Sequence, residues 1–182
     1  GREKPPHSIF LPGYWIGRTE VTNDQYAAFV DASGYSAPDH WEGGRAPSGK
    51  GDHPVVNVSW DDAVAFTAWL SEETGQAFRL PTEAEWEKAC RGTYGLIYPW
   101  RTRDIGLEKL HYNSNIGDTT LAGSYSPDGD SPYGVADMAG NVWEWTSSQY
   151  DDKDFPYPYN ANDGRENLTD HTLRVVRGGS FD

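Results

Sequence analysis

Two long stretches, Gly92 to Gly134 and Ser147 to Asp170, carry no helical or strand periodicity, and they limit the architecture more than any single motif does. Loops of this length inside one compact chain need something other than secondary structure to hold them. The composition supplies a means. Aromatics make up 14% of the 182 residues and include eight Trp, whereas hydrophobic residues of all kinds reach only 36%. A few large rings must therefore carry most of the core, and twenty Gly and twelve Pro place turns between them. The expected class is α+β, a single domain with little regular structure.

Three helices are legible from their ends. Thr22 with Gln25, Ser59 with Asp62 and Thr82 with Glu85 each have the spacing of a capping box, in which two side chains satisfy two otherwise orphaned backbone donors. Gly34, Gly75 and Gly92 stand where each helix would stop. Apolar residues follow at helical spacing: Tyr26, Phe29 and Val30, then Ala63, Phe66 and Leu70 flanked by Trp60 and Trp69, then Trp86, Ala89 and Cys90. Short runs rich in β-branched or aromatic residues predict strands at 7–11, 14–17, 55–58 and 174–177.

Charge and cysteine content narrow the function. Fifteen Lys and Arg against 28 Asp and Glu leave a net charge of -13, which disfavours phosphate backbones and anionic membrane surfaces and suits cations or plain solubility. No apolar run approaches the roughly 20 residues of a membrane span. Cys90 is the one cysteine, so no internal disulfide is possible, and on the inner face of the third helix it reads as a small apolar side chain. The five histidines include no i, i+4 pair and no His-x-His, and His53 reads as structural. Ser180 has no recognisable base and orienter near it. The sequons at Asn57 and Asn167 fall on a core-like run and on a loop. The aromatics Phe155, Tyr157 and Tyr159 predict either a binding surface or a lid packed on the domain.

Five motifs follow one another in order. They are Tyr14-Trp15-Ile16-Gly17 leading into Glu20-Val21-Thr22-Asn23; His53-Pro54-Val55-Val56-Asn57-Val58-Ser59-Trp60; Arg79-Leu80-Pro81-Thr82-Glu83-Ala84-Glu85-Trp86-Glu87; Gly140-Asn141-Val142-Trp143-Glu144-Trp145; and Arg174-Val175-Val176-Arg177-Gly178-Gly179-Ser180-Phe181. Together they resemble the sulfatase-modifying-factor family of formylglycine-generating enzymes, over nearly the whole chain. The resemblance implies a variant of the C-type lectin fold in a single domain spanning 1–182, without the family's closing Gly-Phe-Arg segment. It also implies that the copper-binding cysteine pair of the family's oxidases would lie beyond residue 182.

For metals, the resemblance implies a structural Ca2+ held by the carboxylates of Asp137 and Glu144 and the carbonyls of Gly140 and Val142. A second Ca2+ site would begin at Asn115 and Ile116 and take Asp118 from a shortened loop. The competing reading is that Asn141 and Glu144 satisfy buried backbone groups and that Asn115 and Asp118 form turns. Three functions remain expected: a non-catalytic, calcium-stabilised module that binds a protein partner or a glycan; a copper-dependent formylglycine-generating oxidase; or a receptor with a variable segment after Arg177-Gly178-Gly179-Ser180. Calcium and acidity favour an extracytoplasmic setting.

Overall fold

A computed structural model of the chain describes residues 7–103, 105, 106, 108–112, 116–151 and 153–181. The three helices form where their caps predict: α1 Asn23–Ser33, α2 Trp60–Thr74 and α3 Glu83–Arg91. All three capping boxes are closed in both directions. Gly34 and Gly75 take left-handed conformations (φ 71° and 66°) that stop α1 and α2 and that a Cβ would penalise.

Packing joins α1 to α2. Tyr26 and Phe29 of α1 meet Phe66 of α2 with ring centroids 5.7 Å apart in both cases, and Trp41 closes the cluster 6.0 Å from Tyr26. Val55 and Val58 pack against this cluster from either side of the bend at Asn57. A second cluster, Trp86, Ala89, Cys90, Val135 and Met138 with Ile16, seats α3 on the middle of the chain. The sequence-read inner faces of all three helices are thus the ones used.

The strands differ from expectation. Among the described residues, 7–11, 14–17 and 55–58 join no sheet, Asn57 bends the last of them with φ 56°, and Thr22 with Pro54 makes one isolated antiparallel bridge. β-prone side chains make a strand only where a neighbour offers a ladder; Phe10 and Trp15 stay exposed, while Val55 and Val58 are held by packing on the α1–α2 cluster. The expected 174–177 strand is present as β2, Arg174–Arg177. Its partner is β1, Glu144–Gln149, which lies partly inside the stretch read as irregular. The two are antiparallel, pairing Glu144 with Arg177, Trp145 with Val176 and Gln149 with Arg174, with an irregularity between Trp145 and Gln149.

That irregularity has a chemical cause. Thr146, Ser147 and Ser148 are buried polar residues that must be satisfied individually. Thr146 Oγ1 donates to the Val175 carbonyl at 2.9 Å, the Ser147 amide donates to the Pro81 carbonyl at 2.9 Å, and the hydroxyls of Ser147 and Ser148 donate to the two carboxylate oxygens of Glu166. Two indoles lock this ribbon to the helices: Trp60 Nε1 donates to Thr146 O at 2.9 Å, and Trp145 Nε1 donates to Val58 O at 3.0 Å.

The aromatic loop is a packed lid. Phe155, Tyr157 and Tyr159 surround the Arg165 guanidinium at 5.8, 5.9 and 4.5 Å, and Arg165 is 1% exposed. Asp163 neutralises it at 2.7 Å, and cation–π attraction adds to the ion pair. Tyr157 Oη donates to Glu83 at 2.7 Å and Tyr159 Oη to Glu166 at 2.8 Å, tying the loop to α3 and, through Glu166, to β1. No described helix is long and apolar enough to cross a membrane.

Candidate functional site

The segment 137–144 turns sharply because three of its residues are left-handed: Asp137 (φ 54°), Gly140 (φ 89°) and Asn141 (φ 58°). Asp and Asn tolerate this region better than other side chains do. Asn141 is 1% exposed and organises the turn. Its amide donates to His111 O at 2.9 Å, its Oδ1 accepts from the Thr120 amide at 3.0 Å, and its Nδ2 donates to Glu20 Oε1 at 3.0 Å. Its carbonyl accepts from the Phe181 amide at 3.0 Å, and the adjoining Gly140 amide donates to Gly178 O at 2.9 Å. Segments from four distant parts of the sequence therefore meet at one residue.

Around this turn stand the expected cation ligands. Asp137 is buried and accepts a hydrogen bond from the Gly123 amide. Glu144 Oε2 accepts from Trp86 Nε1 at 2.9 Å. The Val142 carbonyl and Glu144 Oε1 both face the Cα of Gly178, 3.3 and 3.5 Å from where a Cβ on that residue would sit. Gly178 has φ 93°, so both backbone angle and space favour glycine there. Among the described residues, no backbone N–H reaches the Gly140 or Val142 carbonyl.

Burial dominates the electrostatics. It pushes the Glu144 carboxyl up to about 7, against the Trp86 hydrogen bond that favours the ionised form and with help from Asp137 nearby. Burial likewise raises Asp137 above the usual carboxylate range, with the Gly123 hydrogen bond opposing it. A third carboxyl, Glu20, is pushed up to about 9 by burial and by the neighbouring Asp137 and Glu144. Its Oε2 is buried and meets no amide or hydroxyl donor, and the Glu20 carboxyl shares a hydrogen bond with the Asp137 carboxyl.

These observations bear on which ion the residues present could accept. Three clustered carboxyls in a low-dielectric setting and two carbonyls without backbone donors are hard oxygen donors, the kind a Ca2+ site would use. Among the described residues, no three His, Cys, Asp or Glu side chains stand as a ready-made cage, so backbone carbonyls would have to complete the coordination. The donors do not fit copper. Cys90 is buried, its thiol approaches the Met138 carbonyl at 3.7 Å, and burial pushes it up to about 12.

The second expected site is not assembled in the same way. Asn115 lies outside the described residues, Ile116 is exposed, and Asp118 is ion-paired with Lys50 Nζ at 2.5 Å. Lys50 and the Thr119 amide hold the Asp118 carboxyl below the usual carboxylate range despite some burial. His53 makes a structural contact, its Nδ1 lying 2.9 Å from Thr119 Oγ1. Sequence reasoning missed Glu20 as a site residue and gave Asn141 only a backbone-satisfying role. The signal for Glu20 was its place in Glu20-Val21-Thr22-Asn23, but only the fold brings it across 121 positions to Asn141.

Comparisons with known proteins agree with this architecture. The model of the sulfatase-modifying factor enzyme 1-like domain matches residues 1–182. A hercynine oxygenase of Mycolicibacterium smegmatis is 31% identical over 98% of the chain, which spans 48% of that relative. A formylglycine-generating enzyme of Streptomyces coelicolor is 32% identical over 98% of the chain and 71% of its own length. Among solved structures, PvdO from Pseudomonas aeruginosa superposes with a TM-score of 0.68 at 26% identity, covering 90% of this chain and 67% of that one. Treponema denticola variable protein 1 superposes at 0.66 and 25%, covering 91% and 72%. The chain therefore belongs to the sulfatase-modifying factor enzyme 1-like domain family.

Proposed function

We propose that this chain is a non-catalytic, calcium-stabilised binding or scaffold module of its family, built on a C-type-lectin-like arrangement of loops. The observation that carries the proposal is the turn at 137–144. It gathers Asp137, Glu144 and two carbonyls free of backbone donors in a region with no helix to hold it. Asp137, Gly140, Val142 and Glu144 would hold the ion, which would supply positive charge to a buried acidic turn. Its binding free energy adds to folding stability. The acidic surface (net charge -13) disfavours nucleic acid and suits a protein or glycan partner, in an extracytoplasmic setting where calcium is abundant.

Calcium calorimetry and thermal melts of the wild type and of a Asp137→Asn/Glu144→Gln double variant test the cation. The wild type is expected to bind calcium and to gain several degrees in Tm over the chelated protein, and the double variant to show neither response. A wild type indifferent to both calcium and chelator overturns the reading.

The oxidase reading draws on relatives that bear that activity in their names. It needs a thiolate pair, which a chain with one buried cysteine does not itself provide. Aldehyde formed by this chain on a cysteine-containing peptide, with copper and dioxygen supplied, would overturn the non-catalytic assignment.

A further inference from the structure

A groove of about 780 Å3 lies between residues 7–11, one face of α3 and the aromatic loop. Glu87, Lys88 and Arg91 recur at helical spacing on that face, away from the packed side of Trp86, Ala89 and Cys90. The acids that line the groove are already answered. Glu83 is 4% exposed and is held by Arg177 and by Tyr157 Oη at 2.7 Å, and Glu87 pairs with Arg91. Arg91 turns the rest of its guanidinium to the loop that follows, donating to Leu96 O at 2.6 Å and to Gly95 O at 3.1 Å. Lys88 differs. Its ammonium stands over the Tyr14 ring, 5.3 Å from the centroid, and meets no carboxylate among the described residues. The charge left uncompensated in the groove is therefore positive. In a chain of net charge -13, the stretch 88–103 carries Lys88, Arg91, Arg101 and Arg103 and no acid.

The wall at 8–11 bears on what kind of anion fits. Among the described residues, its backbone N–H and C=O groups make no hydrogen bond within the protein, and Phe10 stands open beside them, 87% exposed. Unpaired main-chain groups next to an apolar side chain are what an added strand satisfies. A glycan or a small anion would leave that row unpaired.

We infer that the groove docks an acidic peptide segment of a partner protein, its main chain pairing with 8–11 and a carboxylate meeting Lys88. The inference rests on the binding-module reading above, to which it gives a place and a partner chemistry, and it does not depend on calcium at the 137–144 turn.

The probe is a short fluorescein-labelled peptide alternating Glu with Val, its anisotropy followed against protein concentration at low salt. Matched peptides carry Gln or Lys in place of Glu. The wild type is expected to bind the Gln peptide about tenfold more weakly than the Glu peptide, and the Lys peptide more weakly still. Lys88→Glu is expected to weaken the Glu peptide about tenfold or more, and Lys88→Arg to retain it. Arg45→Glu makes the same change of net charge at an exposed position outside the groove and should leave affinity as it is. Amide hydrogen exchange at 8–11 should slow when the peptide binds. No binding of the Glu peptide, or equal affinity in wild type and Lys88→Glu, overturns the inference, and a retained calcium response in the same protein leaves the metal reading standing. Exchange at 8–11 unchanged by bound peptide overturns the strand pairing. Heparin binding through Lys88 where the peptides fail makes the partner a sulfated glycan and overturns the peptide assignment. If Lys88→Glu does not fold, Lys88→Gln decides by the same comparison.

Discussion

Gly140→Ala is expected to abolish or severely impair folding, with a loss of about 4 kcal/mol or more. Gly140 has φ 89°, and a Cβ on it would lie 2.1 Å from the His111 carbonyl oxygen and 3.0 Å from the carbonyl carbon. Both atoms are backbone, so no rotamer change relieves the overlap. The His111 carbonyl is also the acceptor for the Asn141 amide, so moving it would break the bond that shapes the turn. In a domain of this size the loss corresponds to a fall in Tm of roughly 10 °C or more. Gly134→Ala is the control: φ is 77° there too, but nothing lies within 4 Å of the added carbon, so only the backbone strain of about 1 kcal/mol remains. Thermal melts of both variants decide the matter. A Gly140→Ala protein melting within a few degrees of wild type would show that the close approach does not shape the turn.

The second large effect is a dependence of stability on pH that calcium suppresses. In the ion-free fold Glu144 is pushed up to about 7 and Glu20 to about 9, while an ordinary glutamate carboxyl titrates near 4.5. The folded state therefore holds protons that the unfolded chain has already released, and stability falls as pH rises through this window. Between pH 5 and pH 9 the loss should be on the order of 3 kcal/mol from Glu144 alone, with Glu20 adding to it in the same direction. Below pH 4.5 the opposite slope takes over, because Asp62, Glu85 and Asp163 are held low by their partners and lose those interactions when protonated. Melts in chelator at pH 5, 7 and 9 should thus show a steady decline. In saturating calcium the decline should flatten, and the gap between the two conditions should widen with pH. A flat profile in chelator would mean that the three acids are not buried together.

How much of this was legible in the sequence depends on how local each cause is. The three helices could be read because a capping box and its closing glycine lie within one or a few turns of each other, and all three are where their residues put them. Strand 174–177 could be read as well. Its partner could not, because Glu-Trp-Thr-Ser-Ser-Gln shows no alternation. Its Ser147 and Ser148 hydroxyls are satisfied by Glu166 and the Ser147 amide by Pro81, partners 18 to 66 residues distant. The runs at 7–11, 14–17 and 55–58 misled for the converse reason, since strand-forming composition says nothing about whether a neighbouring ladder exists. In the site, Asp137, Gly140, Val142 and Glu144 emerged from a resemblance in one short motif. Glu20 and the central role of Asn141 are properties of tertiary structure alone.

Among the described residues, regular backbone is confined to three α-helices, a 3-10 turn at Glu42–Gly44 and one short ribbon, so the peptide signal in the far ultraviolet follows α1, α2 and α3 and is nearly blind to the turn that carries Asp137 and Asn141. The indole of Trp86 sees that turn directly through its bond to Glu144. A protein that had lost the turn but kept its capped helices would look intact by circular dichroism and altered by tryptophan emission. For this molecule, agreement between the two spectroscopies is itself a measure of whether the loops and the helices unfold as one unit.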